Sequence, residues 1–206
     1  MPRILHLDSS PRAERSHSRT LTQTFIAAWK EAHPEDTVAY RDIGRNPVPH
    51  VDEAWVAAAF SPPEQRTPEL AAAIALSDEL IDEFVACDRY VFGIPMYNLN
   101  VPSVFKAYID QIVRVGKTFT VTDKGYEGLM EGKKMLIITA RGGTYPEGTP
   151  MAKFDCQEPY LRTIFGFIGI ADIAFIHADN LNVGEAARRD SLAEAKDAIA
   201  QAVASW

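Results

Sequence analysis

Two periods of apolar and polar positions alternate along the whole chain. Residues 3–8, 37–43, 88–95 and 171–178 are short runs rich in branched and aromatic side chains, and 135–140 (Met-Leu-Ile-Ile-Thr-Ala) is almost continuously apolar. Such runs predict strands, the 135–140 run a central parallel strand covered on both faces. The segments between them carry the helical period. Leu21, Phe25, Ala28, Trp29 and Ala32 share one face of a helix that starts at Ser16 and ends near Pro34. Leu70, Ile74, Leu80, Ile81 and Phe84 do the same in a helix opened by Thr67-Pro68, a cap followed by a first-turn proline. The most regular stretch is Val101, Val104, Phe105, Tyr108, Ile109, Ile112 and Val113, with Asn100 as cap, Pro102 in the first turn and Gly116 as stop. Two more helices are predicted at 153–168 and 185–204, the last with Leu192, Ala195, Ile199, Ala202 and Val203 inward.

Strand and helix patterns alternating in this way predict an α/β protein, a doubly wound parallel sheet with helices on both faces and right-handed crossovers. Five strands favour the flavodoxin-like order 2-1-3-4-5 over the six-stranded dinucleotide fold. No repeat or linker interrupts the 206 residues, so residues 1–206 read as a single domain. Two stretches depart from the alternation. Residues 44–67, with Pro47, Pro49, Pro62 and Pro63 around a short helical piece at 54–60, are either a working lid or a mobile excursion. Thr118 to Thr122 alternates like a strand and meets the turn signal Asp123-Lys124-Gly125, as a pocket wall or as surface decoration.

Composition narrows the partners. A net charge of −7 argues against nucleic acid, which requires a basic surface. Cys87 and Cys156 have no metal or redox spacing and read as reduced thiols. No run approaches the ~18 apolar residues of a membrane span, and Arg3 to Leu7 reads as a strand instead of a signal core. The expectation is a cytoplasmic protein.

The candidate chemistry lies in three loops at the carboxyl rim of the sheet, where open α/β folds bind ligands. Asp8 to Ser18 joins the first strand to a helix start, whose free N–H groups and dipole favour an anion. Serine hydroxyls add donors there, and Arg12, Arg15 or Arg19 can add charge. Read alone, the loop is equally a Ser-capped helix. Neither GxxxxGK[ST] nor GxGxxG is present, so common nucleotide fingerprints are absent. Pro95 to Leu99 forms the floor of a site for a flat ligand with polar edges. Thr139 to Tyr145 holds two glycines, which let backbone approach a ligand closely. Converging on one rim, the three loops outline an FMN site.

These motifs (PMYNLNVPSVFKAYID at 95–110, SHS at 16–18, ARGG at 140–143, FGFIGI at 165–170 and LSDELI at 76–81) resemble those of the bacterial FMN-dependent NADH-azoreductases, also described as NADH:quinone reductases. The resemblance spans essentially the whole chain. It implies a homodimer with FMN near the subunit interface. It implies that Ser10, Ser16, His17 and Ser18 hold the phosphate, that Met96, Tyr97, Asn98 and Leu99 lie along the ring, and that Ala140, Arg141, Gly142 and Gly143 close its other edge. It further implies ping-pong two-electron transfer from NADH or NADPH through FMN to quinones and azo compounds, with no catalytic side chain. Phe60 and Phe119 are candidate walls of the acceptor slot. Lys106, Asp110 and Arg114, on the polar side of the 101–113 helix, either meet solvent or a partner subunit.

Two rivals are weighed against this. A flavodoxin-type single-electron carrier would use the same cofactor without room for NADH. A metal phosphodiesterase would use His6-x-Asp8 and His177-x-Asp179. The predicted strand order sets those pairs roughly 14 Å apart, at about 4.8 Å per strand, beyond reach of one metal ion, and no metal is expected.

Overall fold

The computed structural model describes residues 1–206. In chain order the strands are β1 (Arg3–Asp8), β2 (Thr37–Asp42), β3 (Arg89–Pro95), β4 (Phe119–Thr122), β5 (Gly125–Gly128), β6 (Lys134–Ala140) and β7 (Asp172–Ala178). The helices are α1 (His17–Ala32), α2 (Glu53–Ala59), α3 (Pro68–Val85), α4 (Ser103–Ile112), α5 (Glu158–Phe167) and α6 (Glu185–Ser205). Five strands form one parallel sheet in the order β2-β1-β3-β6-β7, and β4 and β5 form a separate antiparallel hairpin inserted between α4 and β6. With the hairpin set aside, this is the expected 2-1-3-4-5 order.

Successive residues of a strand face opposite sides of a sheet, and the core divides accordingly. Leu5, Leu7, Tyr90, Phe92, Met135 and Ile137 pack with side chains of α3, α4 and α5. Their neighbours Ile4, Val91, Leu136 and Ile138 pack with α1 and α6. Phe92 is central to the first cluster, touching Phe105, Tyr108 and Phe165 edge-on at 5.9–6.4 Å between ring centres. α1, the first crossover, and α6, which follows the last strand, therefore share one side of the sheet.

The helix starts follow their caps. Ser16 accepts from the Arg19 amide, and Thr67 accepts from the Leu70 amide ahead of Pro68. Elsewhere the sequence expectation shifts. Asn100 does not cap α4, because its side chain turns back to accept from the Val101 amide, and the helix begins at Ser103 behind Pro102. The helix expected from 153 starts only at Glu158, after a short 3-10 turn at Ala152–Phe154. The Asp155 carboxylate, accepting from the amides of Gln157 and Glu158, sets that start.

The 44–67 connection is pinned, not loose. Trp55 Nε1 donates to Gln111 Oε1 at 2.8 Å, Gln111 Nε2 donates to the Pro49 carbonyl, and Arg66 Nε donates to the Ala58 carbonyl. Arg114 is also not on an open polar face. The chain leaves helical geometry at Val113, so Arg114 turns inward, is 6% exposed, and bonds Ser77 and Asp78 beneath Trp55. Lys106 and Asp110 pair with each other at the surface.

Candidate functional site

The parallel strands end in register, Asp8 beside Asp42 and Gly93, and Ala140 between Pro95 and Ala178. That rim opens a cleft of about 290 Å³. Of the expected residues, Ser10, Ser16, His17, Ser18, Met96, Tyr97, Ala140, Arg141 and Gly142 line it, and the structure brings them together from three separate loops. Asn98, Leu99 and Gly143 do not reach its wall.

One end of the cleft is built for an anion. Ser16 caps α1, and its hydroxyl lies 3.3 Å from that of Ser18, which is fully buried and has no other partner. The first-turn amides of His17 and Ser18 have no acceptor within the helix. Ser10 Oγ accepts from the Arg12 amide. Burial, then the guanidinium charges of Arg12 and Arg188, hold the His17 imidazole below its ordinary value. Of the arginines expected to add charge, Arg12 alone lines the cleft. Arg15 points to solvent. Arg19 is buried behind the loop, where it holds Asp8, Asp42 and Tyr40 and donates to the Ser10 carbonyl at 2.8 Å.

The far wall is mostly backbone. Arg141 contributes its main chain; its guanidinium turns away to grip Asp179 through two nitrogens at 2.6 and 2.9 Å and Asp155 at 2.8 Å. These bonds fasten the loops after β6 and β7 to the start of α5. Gly142 is packed against the Asn182 side chain, which a β-carbon would approach to 2.6 Å. On the floor, the Met96 amide donates to the Ala140 carbonyl, and Tyr97 and Asn100 exchange both backbone bonds around a two-residue turn. Asn98 (φ 47°) and Leu99 (φ 70°) are both left-handed there. Such a turn favours glycine, and a leucine in it stores about 1–2 kcal/mol of strain. The turn is secured from outside, where the Cys156 amide donates to the Leu99 carbonyl.

Sequence reasoning missed Leu181, Asn182 and Arg188, which close the cleft from the loop after β7 and the first turn of α6. The available signal was the strand order itself, which sets the loop of the last strand beside that of β6. Phe60 and Phe119, expected to wall the acceptor slot, lie elsewhere. They share with Trp55, Val113, Val115, Val121 and Tyr126 a second, apolar cleft of about 330 Å³ that has no residue in common with the first. The two His-x-Asp pairs also stay apart. His6 lies 3.5 Å from Asp8 on β1, while His177 bonds Glu158 at 2.9 Å and Thr139 at 2.7 Å on β7, with β3 and β6 between them.

Residues 2–203 match the family model described as "Flavodoxin-like fold". The chain is 68% identical over 207 residues, covering all of both chains, to FMN-dependent NADH:quinone oxidoreductase 2 of Trichormus variabilis. It belongs to the flavodoxin-like FMN-dependent NADH:quinone oxidoreductase family. At greater distance within this family, FMN-dependent NADH:quinone oxidoreductase 2 of Pseudomonas fluorescens Pf-5 is 45% identical over 98% of this chain and 99% of its own. Among solved structures, the azoreductase of Bacillus anthracis str. Sterne superposes with a TM-score of 0.92 at 32% identity, covering all of both chains. An FMN-dependent NADH-azoreductase of Bacillus anthracis str. Ames Ancestor, solved in complex with FMN, superposes with a TM-score of 0.87 at 25% identity over 98% of this chain and 100% of its own. For a member of this oxidoreductase family, the donor set of the cleft fits FMN: hydroxyls, helix-start amides and unpaired cations at one end suit a phosphate ester, and a backbone-rich wall suits a ring with polar edges.

Proposed function

We propose that this chain is an FMN-dependent oxidoreductase that takes a hydride from NADH or NADPH and reduces quinones and azo compounds by two electrons in a ping-pong cycle. The observation that carries the reading is the joining, in one cleft, of the serine-lined α1 start with the Met96–Tyr97 floor and the Ala140–Gly142 wall. Ser10, Ser16, His17 and Ser18 would hold the phosphate. Met96, Tyr97, Asn98 and Leu99 would flank the ring, and Ala140, Arg141, Gly142 and Gly143 its far edge, Asn98, Leu99 and Gly143 from just outside the cleft wall. When bound, FMN supplies the hydride acceptor and two-electron donor. The chain's own part is to orient and to stabilise. The strained 98–99 turn fixes the peptides of the floor, and the amides of Gly142 and Gly143, which unlike that of Arg141 have no acceptor within the chain, present dipoles without reorganisation. No side chain is assigned as a general acid. The family membership favours this reading over a single-electron carrier.

We read residues 1–206 as a single FMN-binding domain with a doubly wound sheet, supported by the two core clusters on alternate strand residues. Cys87 and Cys156, both free, support a reducing, cytoplasmic setting. No helix is long and apolar enough to cross a membrane.

The test is anaerobic. FMN-loaded protein mixed with NADH is expected to lose its visible flavin bands fully and to regain them with one equivalent of a benzoquinone. Bleaching that stalls part-way, or that NADH drives no faster than it reduces free FMN, would return the single-electron carrier.

A homodimer is part of this reading. Phe60, Val121 and Tyr126 are 79%, 59% and 71% exposed around the apolar cleft, and grouped apolar exposure of this kind suits a protein contact. Sedimentation is expected to give twice the 22.8 kDa of the chain. A charge placed in the patch by Val121→Asp is expected to weaken association at least ~10-fold, the scale of a central interface residue. A wild-type mass of 22.8 kDa at micromolar concentration would remove the dimer.

A further inference from the structure

The oxidoreductase reading leaves Arg188 without a role. This arginine lies in the first turn of α6, beside the positive end of a helix dipole, where a cation is disfavoured. It makes no ion pair, although the chain carries seven more acidic than basic groups. Its only side-chain bond runs from Nε to the Leu181 carbonyl at 2.8 Å, which folds the side chain back over its own loop and leaves the other two guanidinium nitrogens unbonded. It lines the same cleft as Ser10, Ser16, His17 and Ser18. Arg12, from the loop after β1, also lines that cleft without an ion pair. No carboxylate lines the cleft beside them; Asp8 and Asp42 pair with Arg19 behind the loop. Two unneutralised arginines beside a helix start give that end of the cleft a positive field and free donors that suit an anion.

We propose that Arg188 and Arg12 form a charge-reading clamp that gives the cleft its selectivity for the 5′-phosphate of FMN over the uncharged terminus of riboflavin. The serines and helix-start amides bond either terminus and favour the anion only by the partial charge of the helix dipole. The arginines add the full charges that sharpen the distinction. Burial first, and then the charges of both arginines, lower the His17 imidazole that lies within their reach. Arg188 reaches the site because α6, which follows the last strand, packs beside α1 on one face of the sheet and so brings its first turn to the loop ahead of α1. This rests on the FMN reading of the cleft.

The test titrates apoprotein with FMN and, separately, with riboflavin, following flavin fluorescence. For Arg188→Gln and for Arg12→Gln, FMN is expected to bind about 10-fold more weakly, the scale of one hydrogen bond to a charged group. Riboflavin affinity is expected to stay within about twofold, since only the charged end differs. The salt dependence of FMN binding should flatten in both variants, and Arg188→Lys should recover part of the loss. Equal losses for FMN and riboflavin would make Arg188 a mere fastener of the 181–184 loop and overturn the clamp. Unchanged FMN affinity in Arg188→Gln, with wild type binding FMN normally, would also overturn it while leaving the function intact. Wild type that binds neither flavin would overturn both.

Discussion

Arg19→Met is expected to lower stability by about 3–5 kcal/mol, the usual effect of removing one partner from a buried ion pair. Arg19 is 3% exposed and every polar direction of its fork but one is used. Nη1 donates to Asp8, Asp42 and the Tyr40 hydroxyl; Nη2 donates to Asp42 and to the Ser10 carbonyl. Methionine fills the volume but strands Asp8, which is fully buried and retains only Thr22 and Tyr40 as donors. The pH dependence adds a sign. Burial by itself would raise the Asp42 carboxyl, but the Arg19 hydrogen bond and the Arg45 amide outweigh it and bring it below its ordinary 3.8. A depressed carboxyl contributes stability above its ordinary value and loses it as pH falls through the folded value. The gap between wild type and Arg19→Met should therefore be full near neutrality and narrow below about pH 4, as pH falls through the lowered folded value of Asp42. Urea unfolding at a series of pH values measures it. A gap under about 1 kcal/mol at pH 7 would mean that water replaces the guanidinium and that the network is not a closed one.

That network also marks the boundary of what the sequence makes legible. The caps at Ser16 and Thr67, the strand and turn of the insertion and the three rim loops follow from periodicity and turn chemistry, which are local. The strand order follows from the strand count through the preferences of doubly wound sheets. Whether Arg19 faces the cleft or the core is not local. It sits one residue after Ser18, about 100° further round the helix, and only the position of β2, with Tyr40 and Asp42, decides that it points inward. Arg114 escapes for a related reason, since helical periodicity stops applying once the chain turns at Val113. The late start of α5 was readable, because Asp155 followed three residues later by Glu158 and then Pro159 is a helix-start signature. The turn at Asn98 and Leu99 was not, since left-handed pairs ordinarily announce themselves with glycine. Arg188 lies some 170 residues from the serines it accompanies, and only the packing of α6 beside α1 connects them.

Gly44→Ala is expected to damage the cofactor site through backbone alone. Gly44 follows β2, and its conformation is open to any residue; space is what it lacks. A β-carbon there would stand 2.2 Å from the Ser10 carbonyl oxygen, 2.5 Å from the carbonyl carbon and 2.9 Å from the Ser10 nitrogen. The approach is fixed from below, since the amides of Ile43 and Gly44 both donate to the Asp8 carbonyl, at 3.0 and 3.2 Å. No flexible side chain is available to yield, so the Ser10 peptide must move, and that peptide is also the one Arg19 holds. The expected cost is about 1–3 kcal/mol, as for other overpacked sites. Because Ser10 lines the anion end of the cleft, FMN affinity should fall by at least ~10-fold, the effect of losing one charge-assisted hydrogen bond. Gly166→Ala is the control. Gly166 lies within α5 with nothing inside 4 Å of the added carbon, so alanine there should stabilise by about 0.5–1 kcal/mol through helix propensity. Flavin titration and urea unfolding on both variants separate the two effects. If Gly44→Ala binds FMN like wild type, the loop tolerates the displacement and the phosphate is not held through Ser10; if it loses affinity while Gly166→Ala keeps it, the position of one peptide at the exit of β1 sets the cofactor site.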